Sequence, residues 1–195
     1  AVGGGALASE GQERERGEAH AAGEDRDSWP ARYVFTYMDD LEQGNEKIQE
    51  QILDAWRSAW ADAGFVPQVL NENVARLHKD YAFLKAQFEA LPTVNNEKYE
   101  LACFLRWVAM AAVGGGIMVD YDVLPMSHVT INGPKDLPNG GRLTTGHVMS
   151  PHVPALVSGN GREFLRMAIL LASVPGQDHF TAFSHAMTAA GGAVV

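Results

Sequence analysis

From residue 33 onward, short dense apolar runs alternate with longer segments in which large apolar residues recur every three or four positions. Tyr33-Val34-Phe35-Thr36-Tyr37 is a β-branched and aromatic run ended by Asp39 and Asp40, the pattern of a buried strand leading into a loop. Over 46–63, Ile48, Ile52, Trp56 and Trp60 recur every four residues with Ala55 and Ala59 beside them. That spacing predicts a helix with one continuous apolar stripe, capped by Asn45 and stopped by Gly64. Residues 65–70, with Pro67 near the start, predict a second short strand. Val74, Leu77, Tyr81, Leu84, Phe88 and Leu91 then predict a second helix, which Pro92 ends.

A third helix starts near Asn95 or Asn96 and carries Tyr99, Leu101, Phe104, Leu105, Trp107, Val108 and Met110. It is apolar on nearly every side beyond Leu101, so it is buried. Gly114, Gly115 and Gly116 follow, and Ile117-Met118-Val119 then reads as a core strand whose exit carries Asp120 and Asp122. Beyond Pro125 the chain is rich in turn formers, with candidate strands at 147–149 and 155–157, a helix over 162–172 and a last helical segment at 179–190. Strands alternating with helices predict an α/β layered domain around a mainly parallel sheet.

Residues 1–30 hold almost no large apolar side chains and read as a leader that does not order itself, which leaves 31–195 as one domain. With 195 residues and 46% hydrophobic content, the chain can bury one substantial core. The net charge of −9 argues against a nucleic-acid surface, since neutralising phosphates needs clustered Lys and Arg. An acidic protein can still take an anionic ligand through a metal ion. The single Cys103 cannot form an internal disulfide, so the sequence sets no redox compartment. The longest apolar run, 101–119, is long enough to raise a membrane-span reading, but its composition argues against one. Arg106 would cost about 2.5–3.5 kcal/mol there on an insertion scale, and the three glycines break the helix. A chain that opens on Ala and stops at Val195 in an Ala/Gly-rich stretch reads as part of a longer reading frame.

The chemistry concentrates at Asp120-Tyr121-Asp122. In an extended backbone the two carboxylates point to the same side, where they repel unless a cation joins them. An oxygen-only pair at a strand exit suits Mg2+ or Mn2+, which take one or two protein carboxylates and complete their shell with water and substrate phosphates. The simplest competing reading of the triplet is two solvated turn residues. The apolar strand, the preceding glycines and the buried helix argue against that.

The stretch Phe104-Leu105-Arg106-Trp107-Val108-Ala109-Met110-Ala111-Ala112-Val113-Gly114-Gly115-Gly116-Ile117-Met118-Val119-Asp120-Tyr121-Asp122-Val123 resembles the sugar-binding DXD region of GT-A-type glycosyltransferases, in the capsular-polysaccharide and mannosyltransferase-like branch. The resemblance reaches from about Tyr33 to Leu124. It implies a Rossmann-like nucleotide-diphospho-sugar transferase domain and transfer with retention of configuration. The acceptor, whether glycan, lipid or protein, stays open. It also implies that Asp122 ligates Mn2+ or Mg2+ directly, that Asp120 contacts the sugar or ribose and supports the metal, and that Arg106 and Tyr121 lie near the donor. Thr36 and Tyr37 fall where nucleotide contacts begin in such enzymes. The sequence departs from the family pattern at Ala102 and Cys103, where Ser-Asp is usual, and at Met118, where an aromatic residue is common.

Other readings stand beside this one. Arg106 also reads as a structural charge paired with a carboxylate such as Glu100, and the glycine triplet as packing rather than a phosphate cradle. His128, His147, His152 and His179 read as loop residues, Trp56 and Trp60 as core, and no serine or cysteine nucleophile arrangement stands out. A haloacid-dehalogenase-type phosphatase also places Asp-X-Asp after an apolar strand, but only Lys135 and Asp178 remain as candidates for its other groups. The alternative of another class is a non-catalytic relative that binds a nucleotide-sugar or a protein.

Overall fold

The computed structural model describes residues 33–39, 46–93, 96–126, 137–145, 155–173 and 193–194. The leader over 1–30, the Asn45 cap, the strand expected at 147–149 and the helix expected at 179–190 lie outside the described residues. So do His128, His147, His152, His179, Lys135 and Asp178.

The described strands are β1 (Tyr33–Tyr37), β2 (Val66–Leu70), β3 (Gly115–Val119), β4 (Thr144–Thr145), β5 (Leu156–Asn160) and β6 (Ala193–Val194). The helices are α1 (Glu46–Asp62), α2 (Glu72–Ala75), α3 (Tyr81–Glu89), α4 (Glu97–Ala112) and α5 (Gly161–Ala172), with a 3-10 turn at Pro138–Gly141. The strands form one sheet in the order β2-β1-β3-β5-β4-β6. β1 runs parallel to β2 and β3, whereas β5 is antiparallel to both β3 and β4. The α/β architecture is therefore present, and the sheet is mixed, with three parallel pairings, β4 with β6 among them, and two antiparallel ones.

Helices cover both faces. Alternation along β1 and β3 sends Val34 and Val119 to one side, where they meet Trp56, Trp60 and Phe65. Phe35 and Met118 point to the other side, into the larger core built on α4 and α5. Residues 102–110 of α4 are all buried, Phe104 stacking on Phe88 of α3 at 5.0 Å and Trp107 meeting Phe164 of α5 at 5.7 Å. Each apolar side chain so buried contributes about 1.5–3 kcal/mol. Asn96 starts this helix by accepting from the backbone N–H groups of Lys98 and Tyr99 at 2.9 and 3.2 Å. The apolar run at 101–119 thus divides between a helix and a strand, and among the described residues no helix is long and apolar enough to cross a membrane.

Two helical expectations change. The stripe on α1 is not continuously buried, since Trp56 and Trp60 are covered while Ile48 and Ile52 are 57% and 38% exposed. The 17 residues of α1 span about 25 Å, and a five-residue strand about 17 Å, so the first turns of the helix overhang the sheet. The single helix expected from Val74 to Leu91 is broken after Ala75 and restarts at Tyr81. The Glu72 carboxylate accepts from Arg76, Tyr81 and Lys85, which folds the two pieces around one acidic hub and leaves Leu77 78% exposed in the turn between them. Pro67 is tolerated because β2 is an edge strand.

Two glycines of the triplet have no room for a side chain. Gly115 has φ +98°, and a Cβ there would sit 2.4 Å from the Gly159 carbonyl oxygen of β5. A Cβ on Gly116 would lie 2.6 Å from the Phe35 ring. Gly114 accepts from the Gly161 N–H at 2.8 Å, which docks the start of α5 on the turn before β3.

Gly115→Ala adds left-handed strain, about 1–2 kcal/mol, to an overlap with backbone that costs about 1–3 kcal/mol more. Gly64→Ala, at φ +88° with nothing near its Cβ, should lose the strain contribution alone. Urea midpoints of the two variants test this, with Gly115→Ala the less stable.

Candidate functional site

Because β1, β2 and β3 are mutually parallel in this half of the sheet, their carboxyl ends share one rim. Each strand delivers polar side chains there: Asp39 after β1, Asn71 and Glu72 after β2, and Asp120 after β3. Ligands of open α/β sheets bind outside such carboxyl ends.

Asp120 is held from below by α4. Arg106 Nη1 donates to Asp120 Oδ1 at 2.9 Å, and the Arg106 side chain is 8% exposed against 32% for Asp120. The guanidinium also lies 5.6 Å from the Trp107 ring centroid, while its Nε has no hydrogen-bond partner among the described residues. Asp120 titrates above the usual carboxylate range. Burial is the main cause, opposed by the Arg106 charge and reinforced by Asp122. One guanidinium against two carboxylates leaves this corner net negative. Tyr99 and Cys103 precede Arg106 along the same side of α4, and both feel the Asp120 charge.

The Asp-Tyr-Asp segment is not extended. Val123 N–H donates to the Asp120 carbonyl at 3.0 Å, closing a turn that exposes Tyr121 and Asp122. The ladder to β5 stops at Val119, with one further bond from Asp120 N–H to Ala155 at 2.9 Å. Past that point no neighbouring strand holds the chain straight, and aspartate favours turns. The same-side geometry expected of Asp120 and Asp122 is thus replaced by a turn, although the two remain close enough for Asp122 to raise the titration of Asp120.

At the ends of β1 and β2, against α4, lies a cavity of about 440 Å³ lined by Met38, Asp39, Asn71, Glu72, Asn73, Lys98, Leu101, Ala102 and Leu105, and not by Asp120. Its carboxylates are engaged within the protein. Asp39 accepts from the Tyr37 hydroxyl at 2.5 Å and from Glu72 N–H at 2.8 Å, and Glu72 accepts from Lys85 at 2.8 Å. The Lys85, Tyr81 and Arg76 contacts hold Glu72 down to about 2. Lys98 is exposed and takes part in no ion pair among the described residues. Positions 98, 101, 102 and 105 of α4 face the cavity, and the next stripe, 99, 103 and 106, faces Asp120, so one helix walls both.

The structure brings Arg106, Asp120, Tyr121 and Asp122 together and leaves Thr36 apart. Tyr37 supports the cavity indirectly, through Asp39, and burial pushes its phenol far above the ordinary range. Thr36 is 1% exposed and alternates onto the α1 side of the sheet, away from the cavity. Sequence reasoning missed Asp39, Asn71, Glu72 and Lys98 as rim residues. The signal was present in the repeated exit pattern, Tyr37-Met38-Asp39, Leu70-Asn71-Glu72 and Val119-Asp120, each an apolar strand ending in a carboxylate or amide. No group of three or more His, Cys, Asp or Glu that could enclose a metal occurs among the described residues.

Residues 27–132, more than half of the chain, match the family model described as Domain of unknown function (DUF8765), and the protein belongs to that family. The matched span includes β1, the cavity and the Asp120 turn. No curated protein and no solved structure matches the chain.

Two outcomes follow from the electrostatics. Arg106→Met should cost about 1–3 kcal/mol, less than a fully buried pair because Asp120 is partly solvated. The folded-state value of Asp120, already raised, climbs further, so the deficit of this variant shrinks as pH falls, and adding Asp120→Asn recovers most of the loss. Glu72 has the opposite sign. Its folded value lies below the ordinary 4.5, so its contribution is present above that pH and is lost as pH falls toward 2. Acid unfolding monitored by circular dichroism should show a shallower loss across that window in Glu72→Gln.

Proposed function

We propose that this domain is a GT-A-type glycosyltransferase that seats a nucleotide-diphosphate sugar along the carboxyl ends of β1, β2 and β3. The observation that carries the reading is the shared α4 wall, with a nucleoside-sized cavity on one stripe and the Arg106-anchored Asp120 on the next. An elongated ligand with an anionic middle suits that layout. Its nucleoside fills the cavity, where Asn71 and Asn73 offer amide groups and Lys98 offers a positive charge that no ion pair engages among the described residues. Its diphosphate reaches the Asp120 turn. The Rossmann-like reading of the sheet rests on the parallel β2-β1-β3 half and the helices on both faces.

The residues present fit a divalent cation. Two carboxylates and one guanidinium leave net negative charge, Asp120 is raised chiefly by burial and further by Asp122, and the donors are oxygen alone. Asp122, exposed at the turn and outside the Arg106 contact, would be the direct ligand, with Asp120 in support. The short protein donor set suits Mg2+ or Mn2+, whose remaining positions go to water and phosphate oxygens. Such an ion supplies charge neutralisation to the departing diphosphate. The chain's own residues supply the rest. Arg106 fixes the direction of Asp120, the Tyr37–Asp39–Glu72 contacts hold the cavity rim, and Tyr121 stands exposed where a sugar ring could pack. The engagement of an Asp120 oxygen by Arg106 weighs against the phosphatase alternative, in which the first aspartate must be free to attack phosphorus.

Calorimetric titration of uridine and guanosine diphosphate sugars, with and without Mn2+, tests the reading. Binding should require the metal, disappear in Asp122→Ala, and weaken about tenfold in Lys98→Met, where one charge-assisted hydrogen bond is lost. Metal-independent binding, or binding unchanged in Asp122→Ala, contradicts it.

A further inference from the structure

Trp56 and Trp60 occupy successive turns of α1, are 0% and 5% exposed and belong to the same apolar cluster, so both read as plain core residues. Their ring nitrogens distinguish them. Among the described residues Trp56 Nε1 has no hydrogen-bond partner, whereas Trp60 Nε1 donates to the Val123 carbonyl at 3.0 Å, across 63 positions of sequence. Val123 is the residue that closes the aspartate turn through its N–H to the Asp120 carbonyl. The turn is therefore fastened at its entry by Asp120 N–H on the carbonyl of Ala155, the residue before β5, and at its exit by the Trp60 indole. Arg106 fixes the Asp120 side chain from the opposite face of the sheet. Asp122 lies between these anchors and is exposed. The indole itself cannot swing freely, since it meets Phe65 edge-on at 5.0 Å and Trp56 at 6.5 Å.

We infer that Trp60 is a positioning residue whose indole N–H, by holding Val123, sets where Asp122 stands relative to Asp120. The inference rests on the cation reading proposed above. An aspartate in an exposed turn would otherwise sample many directions, and two carboxylates share one ion only if their separation is fixed. Partners that orient a ligating residue without touching the metal typically affect affinity by about 10- to 100-fold when removed. Loss of one bond to a backbone carbonyl belongs at the lower end of that range.

Trp56 provides an internal control, a neighbouring buried indole without the bond. In the full chain, Trp60→Phe and Trp56→Phe should both lower thermal stability. Only Trp60→Phe should weaken Mn2+ binding, by about tenfold when free Mn2+ is read by electron paramagnetic resonance, and only it should speed amide exchange at Val123. If Trp60→Phe does not fold, incorporating β-(3-benzothienyl)alanine at position 60 keeps the ring shape and removes the N–H, with the same expectation. Mn2+ affinity unchanged at position 60, or lowered equally by Trp56→Phe, overturns the assignment. A wild-type protein that binds no Mn2+ overturns the cation reading and this role with it. The two failures are distinguishable, because only the second is visible before any substitution is made.

Discussion

A guanidinium inside an apolar helix is the constraint around which this domain is arranged. α4 is buried along nine consecutive residues, and Arg106 lies among them, so its charge needs a counter-charge. Asp120 meets that need from the exit of β3. The contact fixes the direction of α4 across the rim of the sheet, and with it the wall that the cavity and the aspartate turn share. Well-packed hydrophobic residues in place of such a pair are often no less stable. The value of the pair is therefore better sought in where it holds Asp120 than in what it adds to folding.

The glycines make that arrangement possible. β5 passes so near Gly115, and Phe35 so near Gly116, that side chains there would push the sheet apart just before the strand that carries Asp120. α5 docks on Gly114 through the Gly161 N–H, so three glycines bring the antiparallel half of the sheet, the second large helix and the buried α4 to one point. The close approaches at Gly115 and Gly116 thus lie one short strand away from the exposed Asp122 carboxylate.

Much of this was legible in the sequence where one local rule decided the outcome. β1, α1, α4, β3 and α5 follow from apolar periodicity, and Asn96 and Gly64 act as the cap and stop that their residue types suggest. The remainder depended on partners distant in sequence. The break between α2 and α3 follows from Glu72 gathering Arg76, Tyr81 and Lys85, which an apolar count cannot register. The antiparallel pairing of β5 with β3 likewise joins strands distant in sequence. Asp120 and Asp122 stood out because they flank one residue at the end of an apolar strand, whereas Asp39, Glu72 and Lys98 become neighbours only when β1, β2 and α4 assemble. The role of Trp60 was hidden for the same reason, since its acceptor lies 63 residues away.

The account makes the rim of three parallel strands, centred on the Asp120 turn, the place where cation and diphosphate meet. Backbone amide spectra recorded during a titration with Mn2+ in the presence of uridine diphosphate address this directly, because a bound paramagnetic ion broadens the signals nearest to it. Broadening that begins at Asp120, Tyr121, Asp122 and Val123 and then reaches Met38 and Asn71 is the predicted result. Broadening that begins elsewhere, as at the exposed Asp54 of α1, or that leaves the turn unaffected, would contradict the account.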